Sequence, residues 1–391
     1  MAAVERITDV HEISFPELGW TFHIDPTAFK VFGLEIQWYG LLITVGLALA
    51  LIYCFSKMKR FGIDPDRAID AVIGGVLGGL IGARLYYVAF QWDQYKKSSF
   101  SETFKAVVNT REGGLAIYGG IIGALTIGLI VSHFRKVKKL PLLDLTVLGL
   151  LIGQGVGRWG NFVNQEAFGT NTNSFLGMTG GRIQNTIIRE TQIGGDMYIH
   201  DQATVVWDKA VHPCFLYESL WCLLGFFLLA WFSKRRKYDG QLFLMYLTWY
   251  GAERFVVESL RTDSLYIGSS NLRVSQLLSA VVCIASIILQ IVLFSKRRRD
   301  PESFVLYANT EESIKLIEES RRKRMGMPPE DEFDSDDDDD IDYNDILDDD
   351  DDDDDFNDDE DDDINSDNED IENEDETSDD VSDENNKEDE E

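Results

Sequence analysis

The chain has 391 residues and a formal net charge of −33, yet 44% of its residues are hydrophobic. That average joins two unlike parts: residues 330–391 hold 40 of the 69 acidic groups and one of the 36 Lys and Arg, leaving a body with 35 basic and 29 acidic residues. The body's long, Gly-rich, nearly uncharged segments exclude an ordinary acidic soluble protein and point to membrane-spanning helices, each needing about 20 apolar residues.

Residues 1–35 come first and read as an external segment. Met1 to Phe32 contains acidic residues and two prolines but no basic stretch before an apolar core. No cleavable signal peptide is expected, and the first span acts as the insertion signal. The expected spans are Trp38 to Ser56, Ala68 to Phe90, Leu115 to His133, Leu143 to Trp159, Cys214 to Phe232, Leu242 to Val257 and Val274 to Phe294. The fourth has the weakest hydropathy because of its glycines and Arg158.

Basic clusters follow every second span: Lys57 to Arg60, Arg135 to Lys139, Lys234 to Lys237 and Lys296 to Arg299. Cytoplasmic loops carry such an excess of Lys and Arg, so the expected fold is an all-α polytopic membrane protein with seven transmembrane helices. Its N-terminus is outside and its C-terminus cytoplasmic. Residues 36–295 form the membrane domain, with 162–211 as a small external arm and 296–329 as a cytoplasmic juxtamembrane segment. The Asp-rich stretch 330–391 cannot bury enough apolar surface to offset chain entropy and is expected to be disordered. Cys54, Cys214, Cys222 and Cys283 show no metal-ligand spacing and read as buried thiols.

Charged groups within spans are costly unless they face a protein interior or a wet cavity, so they mark candidate sites. In GGVLGGLIGARLYYV, glycines at 74, 75, 78, 79 and 82 suit close helix packing, and Arg84 follows near the outer boundary as an interfacial anchor or a site residue. In REGGLAIYGGIIGA, paired glycines flank Tyr118, which reads as an aromatic-belt residue or as a hydroxyl given room to act. In GQGVGRWGNFVNQEAFG, a continuing helix would place Arg158, Asn161 and Gln165 on one face. A guanidinium beside amides suits a phosphate or carboxylate, although a snorkelling arginine before a polar loop is the other reading. In WYGAERFVVESLR, Tyr250, Arg254, Glu258 and Arg261 form a stripe in which Arg254 and Glu258 can pair. HPCFLYE places His212 and a proline at the start of the fifth span.

All these groups sit at outer span ends, where phospholipid is the available phosphate. The body has no phosphate-cradling Gly-Lys loop, no Asp cluster for magnesium and no Ser/His/Asp set. The expected chemistry therefore uses no nucleotide or metal cofactor.

GGLAIYGGIIGA, GRWGNFVNQEAFG, HPCFLYE and YGAERFVVESLR, with IQWYGLL and GARLYYV, resemble the phosphatidylglycerol:prolipoprotein diacylglyceryl transferase family from about Ile36 to Leu293, in the family's motif order. The resemblance implies transfer of a diacylglyceryl group from phosphatidylglycerol to the lipobox cysteine of a preprolipoprotein, forming a thioether and releasing glycerol 1-phosphate. It places the enzyme in a bacterial plasma membrane with its site toward the outer leaflet, and implies no nucleic-acid partner. Arg158 and Arg254 would stabilise the phosphate, Asn161 and Glu166 would shape the pocket, and Glu258 would hold Arg254. Tyr39 and Tyr250 would line the lipid entrance, with Arg261 also in the substrate site. Many members carry a histidine at the position of Tyr118, proposed as the base that activates the thiol. A phenol, titrating near about 10 in model peptides, is a poor base at neutral pH. Tyr118 is therefore assigned to the catalytic site either as a hydrogen-bond donor to the leaving group or as the group that deprotonates the cysteine. An anion transporter, the main rival, predicts polar residues spread through the membrane's depth instead.

Overall fold

The structure, a computed structural model, describes residues 9–110, 113–192, 205–267 and 272–327. The expectation for the acidic stretch 330–391 lies outside the described residues. In chain order the helices are α1 (Trp38–Lys57), α2 (Pro65–Phe90), α3 (Trp92–Tyr95), α4 (Phe100–Val108), α5 (Ile117–Phe134), α6 (Lys139–Asn164), α7 (Gly181–Gln192), α8 (Cys214–Ser233), α9 (Gln241–Leu260), α10 (Val274–Arg299) and α11 (Glu311–Met325).

A long helix stands at each expected span. Six of these, α1, α2, α5, α6, α8 and α10, are long and apolar enough to cross a membrane. Helix α9 matches them in length but carries Glu253, Arg254 and Glu258 in its last turns. The fourth expected span is no weak element, because α6 packs against α1, α8 and α9 and is the axis of the bundle. Its Leu145, Leu148 and Leu151 form a core with Met58, Phe61, Cys222 and Leu242.

Small residues let the helices approach one another. A Cβ on Gly82 would strike the Gly119 carbonyl across the α2–α5 contact, and one on Gly78 would strike that of Gly123. Backbone-to-backbone packing of this kind suits association in lipid, where apolar side chains gain little by leaving the tails. The same logic seats Gly46 of α1 against Gly153 of α6.

Three of the four basic clusters, at residues 57–60, 135–139 and 234–237, gather at one end of the bundle. Arg236 donates to the Arg60 carbonyl at 3.1 Å, Lys138 pairs with Glu312 of α11 at 3.0 Å, and Ser313 Oγ donates to the Gly62 carbonyl at 3.0 Å. At this end the buried Asp144 carboxylate accepts the Gly240 and Phe243 amides at 2.7 and 2.8 Å, which satisfies two of the free donors at the start of α9.

At the opposite end the all-α expectation is incomplete. Strand β1 (Glu12–Phe15) pairs antiparallel with β2 (Trp20–His23), while β3 (Thr27–Val31) and β4 (Leu34–Gln37) form a separate hairpin. Strand β5 (Thr179–Gly180) joins the other edge of β1, with Ile13 opposite Gly180. Ile13 and Phe15 point inward onto Phe162, Val163, Phe168, Met178 and Ile183, so the N-terminal strands and the arm share a small core on the end of α6.

Candidate active site

The site is built from the stripe on α9. Arg254 Nη2 meets Glu258 Oε2 at 2.5 Å, one turn on, and its Nη1 meets Glu218 Oε1 of α8 at 2.9 Å. Arg158 of α6 reaches the other oxygen, Glu218 Oε2, at 2.9 Å. Arg261, just past the end of α9, lies 3.8 Å from Glu218 Oε1 and holds Asp263 through Nε and Nη2 at 2.8 and 2.6 Å. Glu218 is 1% exposed and is the hub for three guanidiniums, one from α6 and two from α9 and its C-cap. Arg158, Arg254 and Arg261 are balanced by Glu218, Glu258 and Asp263, which lowers the cost of holding these charges out of water. Burial is the largest influence on the Asp263 carboxylate and opposes its charge, but the hydrogen bond and charge of Arg261, with its own backbone amide and Arg254, together outweigh it and hold that group below the usual carboxylate range.

The supporting helices are clamped by side chains. Trp159 donates to Ser219 Oγ at 3.2 Å, and Ser219 donates to the Gly155 carbonyl at 2.8 Å, tying α6 to α8. Trp221 and Trp249 stack at 4.3 Å, and each indole N–H donates to the other's carbonyl at 3.1 Å, tying α8 to α9. Arg273 donates through Nη1 to the Glu258 carbonyl and so caps the end of α9.

Asn161 Nδ2 and Asn164 Nδ2 both donate to Glu166 Oε1, at 3.1 and 3.3 Å. Gln165 departs from the expectation that it shares a face with Arg158. It ends α6 at φ 54°, and its amide donates to the Val10 and Glu12 carbonyls while its oxygen accepts the Arg182 amide. Gln165 therefore locks the N-terminal strand to the arm instead of facing the site. The Tyr39 ring packs on Gly160, near enough to feel the charges of Glu166 and Arg158. Tyr250 stacks on Tyr246 at 5.7 Å, beside Arg158 and Arg254.

Tyr118 stands apart from this group. It lies in the first turn of α5, 47% exposed, and no hydrogen bond, ion pair or ring contact joins it to the arginines among the described residues. Its flanking glycines also differ from the expected open frame, because Gly119 seats against Tyr86 and Gly82 of α2. Gly113 and Gly114 turn at φ 84° and 80°, and their carbonyls accept from Arg84 at 2.9 and 2.8 Å. Arg84 also donates to Ala106, Val107 and Asn109 carbonyls, so all five of its N–H groups are used on backbone. His212 Nδ1 contacts Tyr217 Oη at 3.2 Å at the start of α8, and burial lowers its pKa.

Sequence reasoning missed Glu218, Asp263 and Glu253. Three arginines, from α6, α9 and the C-cap of α9, against the two carboxylates Glu258 and Glu166 left positive charge unbalanced, and that imbalance was the signal for a further acid. Glu218, the one acid within an otherwise apolar span and inside HPCFLYE, answers it.

Fold and site together define a polytopic helical membrane protein that holds an arginine–carboxylate net at one end of its bundle, with Arg158 and Arg254 partly exposed at its edge. A family model described as prolipoprotein diacylglyceryl transferase matches residues 26–292. A Finegoldia magna protein is 40% identical over 269 residues, covering 68% of this chain and 95% of its own length. Relatives from Enterococcus faecalis and Clostridioides difficile are 37% and 36% identical, covering 75% and 71% of this chain and 97% and 98% of their own. All three are named phosphatidylglycerol–prolipoprotein diacylglyceryl transferase. The chain belongs to the prolipoprotein diacylglyceryl transferase family.

Proposed function

We propose that this chain transfers the diacylglyceryl group of phosphatidylglycerol to the lipobox cysteine of preprolipoproteins, the first step of lipoprotein maturation. The observation that carries the reading is the net in which Glu218 holds Arg158 and Arg254 side by side. Two guanidiniums fixed by carboxylates offer further donors to a phosphate diester that approaches from the open edge.

The cysteine sulfur attacks the glyceryl carbon that bears the phosphate. A C–S bond forms as the C–O bond breaks, and the electron pair leaves with glycerol 1-phosphate. Arg158 and Arg254 stabilise the charge that grows on that oxygen, and a positioned donor of this kind contributes on the order of a hundredfold or more. Glu258 and Glu218 fix the direction of Arg254, Arg261 steadies Glu218, and Asn161 with Glu166 forms the wall. Tyr39 and Tyr250 line the lipid entrance. Tyr118, exposed in the first turn of α5, takes the role of donating a hydrogen bond to the leaving phosphate, which takes up the thiol proton. A thiol near pKa about 8.5 carries some thiolate at neutral pH, so no strong base is needed.

The membrane placement follows the same reading. Helix α9 is the sixth of seven spans, its charges facing the bundle. The end that gathers the basic clusters is cytoplasmic, so the N-terminus is outside and the net lies toward the outer leaflet of a bacterial plasma membrane. Residues 36–295 are the catalytic domain, 162–211 its external arm and 296–329 a cytoplasmic juxtamembrane segment.

Purified protein in vesicles of radiolabelled phosphatidylglycerol, given a lipobox peptide with and without chelator, tests the reading. Label should appear on the peptide cysteine at equal rates in both. No label on the cysteine would remove the transferase reading, and loss with chelator would remove the metal-free mechanism.

A further inference from the structure

The charge net leaves one buried acid without a task. Glu253 lies one residue before Arg254 on α9, is 5% exposed, and has no hydrogen-bond partner on either carboxyl oxygen. Glu218 Oε2 and Glu258 Oε2 also lack a well-directed hydrogen bond, but each is ion-paired to an arginine. Glu253 has neither kind of partner among the described residues. A buried polar group left unpaired costs about 1–3 kcal/mol or more, so each such group calls for an explanation.

Its surroundings narrow the explanation. Tyr246, Tyr250, Glu253 and Val257 recur at helical spacing on the face of α9 turned to α6 and α8. Gln154 of α6 donates to Tyr246 Oη at 3.0 Å on that face, and the Cys222 thiol of α8 contacts Gln154 Oε1 at 3.9 Å. Glu253 lies within electrostatic reach of Glu218, Arg158, Arg254 and Arg261. One residue along a helix is a rise of about 1.5 Å, so Glu253 shares the depth of Arg254 and looks into the bundle. A phosphate held by Arg158 and Arg254 would bring its alcohol substituent next to this carboxyl. That substituent must supply donors for two oxygens, and a vicinal diol does so, as the ribose diol does toward the acidic residue of dinucleotide sites.

We propose that Glu253 is a specificity-determining residue that accepts hydrogen bonds from the vicinal diol of the phosphatidylglycerol headgroup. The proposal rests on the transferase reading above and adds to it which lipid the site selects and by which atoms. A site built to hydrogen-bond a hydroxyl rejects the analogue that lacks it, because its own polar atoms are then left unpaired.

The test uses the full chain in vesicles and compares three donors: phosphatidylglycerol, phosphatidylpropanol with the same phosphate and no free hydroxyl, and phosphatidylethanolamine. Wild type should prefer phosphatidylglycerol over phosphatidylpropanol by about 30-fold or more in kcat/KM. Glu253→Gln should lower the phosphatidylglycerol value about tenfold and leave phosphatidylpropanol within about twofold, collapsing the ratio. A merely structural glutamate would lower both lipids alike, and an unchanged ratio in an active variant overturns the assignment. Glu253-dependent use of phosphatidylethanolamine at the phosphatidylglycerol rate also overturns it, since an ammonium would then be the partner. If Glu253→Gln does not fold, Glu253→Asp is judged by the same ratio, which should fall because the carboxyl is drawn back by one methylene. Absence of label with every donor would sink the transferase reading itself, an outcome distinct from an unchanged ratio.

Discussion

Arg84, which is buried, and Arg254, which is partly exposed, both stand near the ends of long helices, and their partners separate their roles. Arg84 spends all five N–H groups on carbonyls of residues 106, 107, 109, 113 and 114, with the Tyr95 ring 4.9 Å away. Arg254 instead divides its guanidinium between Glu218 and Glu258, and Glu218 is shared in turn with Arg158 and Arg261. A guanidinium saturated by fixed backbone has nothing to offer a ligand and braces a loop. One paired with carboxylates at an open edge can turn donors to an incoming anion while its countercharges hold it in place.

The comparison can be broken at either end. The largest effect is expected for Arg254→Ala and Arg158→Ala, each lowering kcat/KM for label transfer by about a thousandfold with normal folding. Near-normal rates in either would mean that the phosphate is held elsewhere. Arg84→Ala should do the reverse: thermal stability falls by about 3 kcal/mol as carbonyls lose their donor, while folded protein keeps its kcat. A variant as stable as wild type would show that those carbonyls find other donors. Glu166→Ala removes the acceptor shared by Asn161 and Asn164 and should cost about tenfold in kcat/KM, mostly in KM, measured by initial rates over a range of lipid concentrations. The smallest change, a few-fold fall in kcat, is expected for Tyr118→Phe, because one hydrogen bond from an exposed rim is worth about 1 kcal/mol. An unchanged kcat there would make Tyr118 a membrane-interface residue alone.

The helices were legible in the sequence because long apolar runs between basic clusters specify spans whatever their neighbours are. The ends were less so: α6 starts at Lys139 and runs to Asn164, beyond both limits of the expected span, because its polar last turns pack on protein. The four-residue strands β1 and β2 carry too few residues to separate a period of two from a loop, and β1 depends on β5 from far along the chain. The Arg254–Glu258 pair followed from helical spacing, whereas Glu218 joins residues on different helices and no local spacing reveals it. Gln165 failed for a local reason, since its left-handed turn ends the helix that would have carried it to the Arg158 face. The glycines around Tyr118 signalled close approach correctly, but what approaches is α2.

The claim that the arginine net holds a lipid phosphate is tested most directly by equilibrium binding of short-chain phosphatidylglycerol to folded wild type, Arg158→Ala, Arg254→Ala and Arg84→Ala protein in the same detergent. The account predicts that the first two variants lose at least about tenfold in affinity while Arg84→Ala binds as wild type does. Undiminished binding in both Arg158→Ala and Arg254→Ala would contradict it.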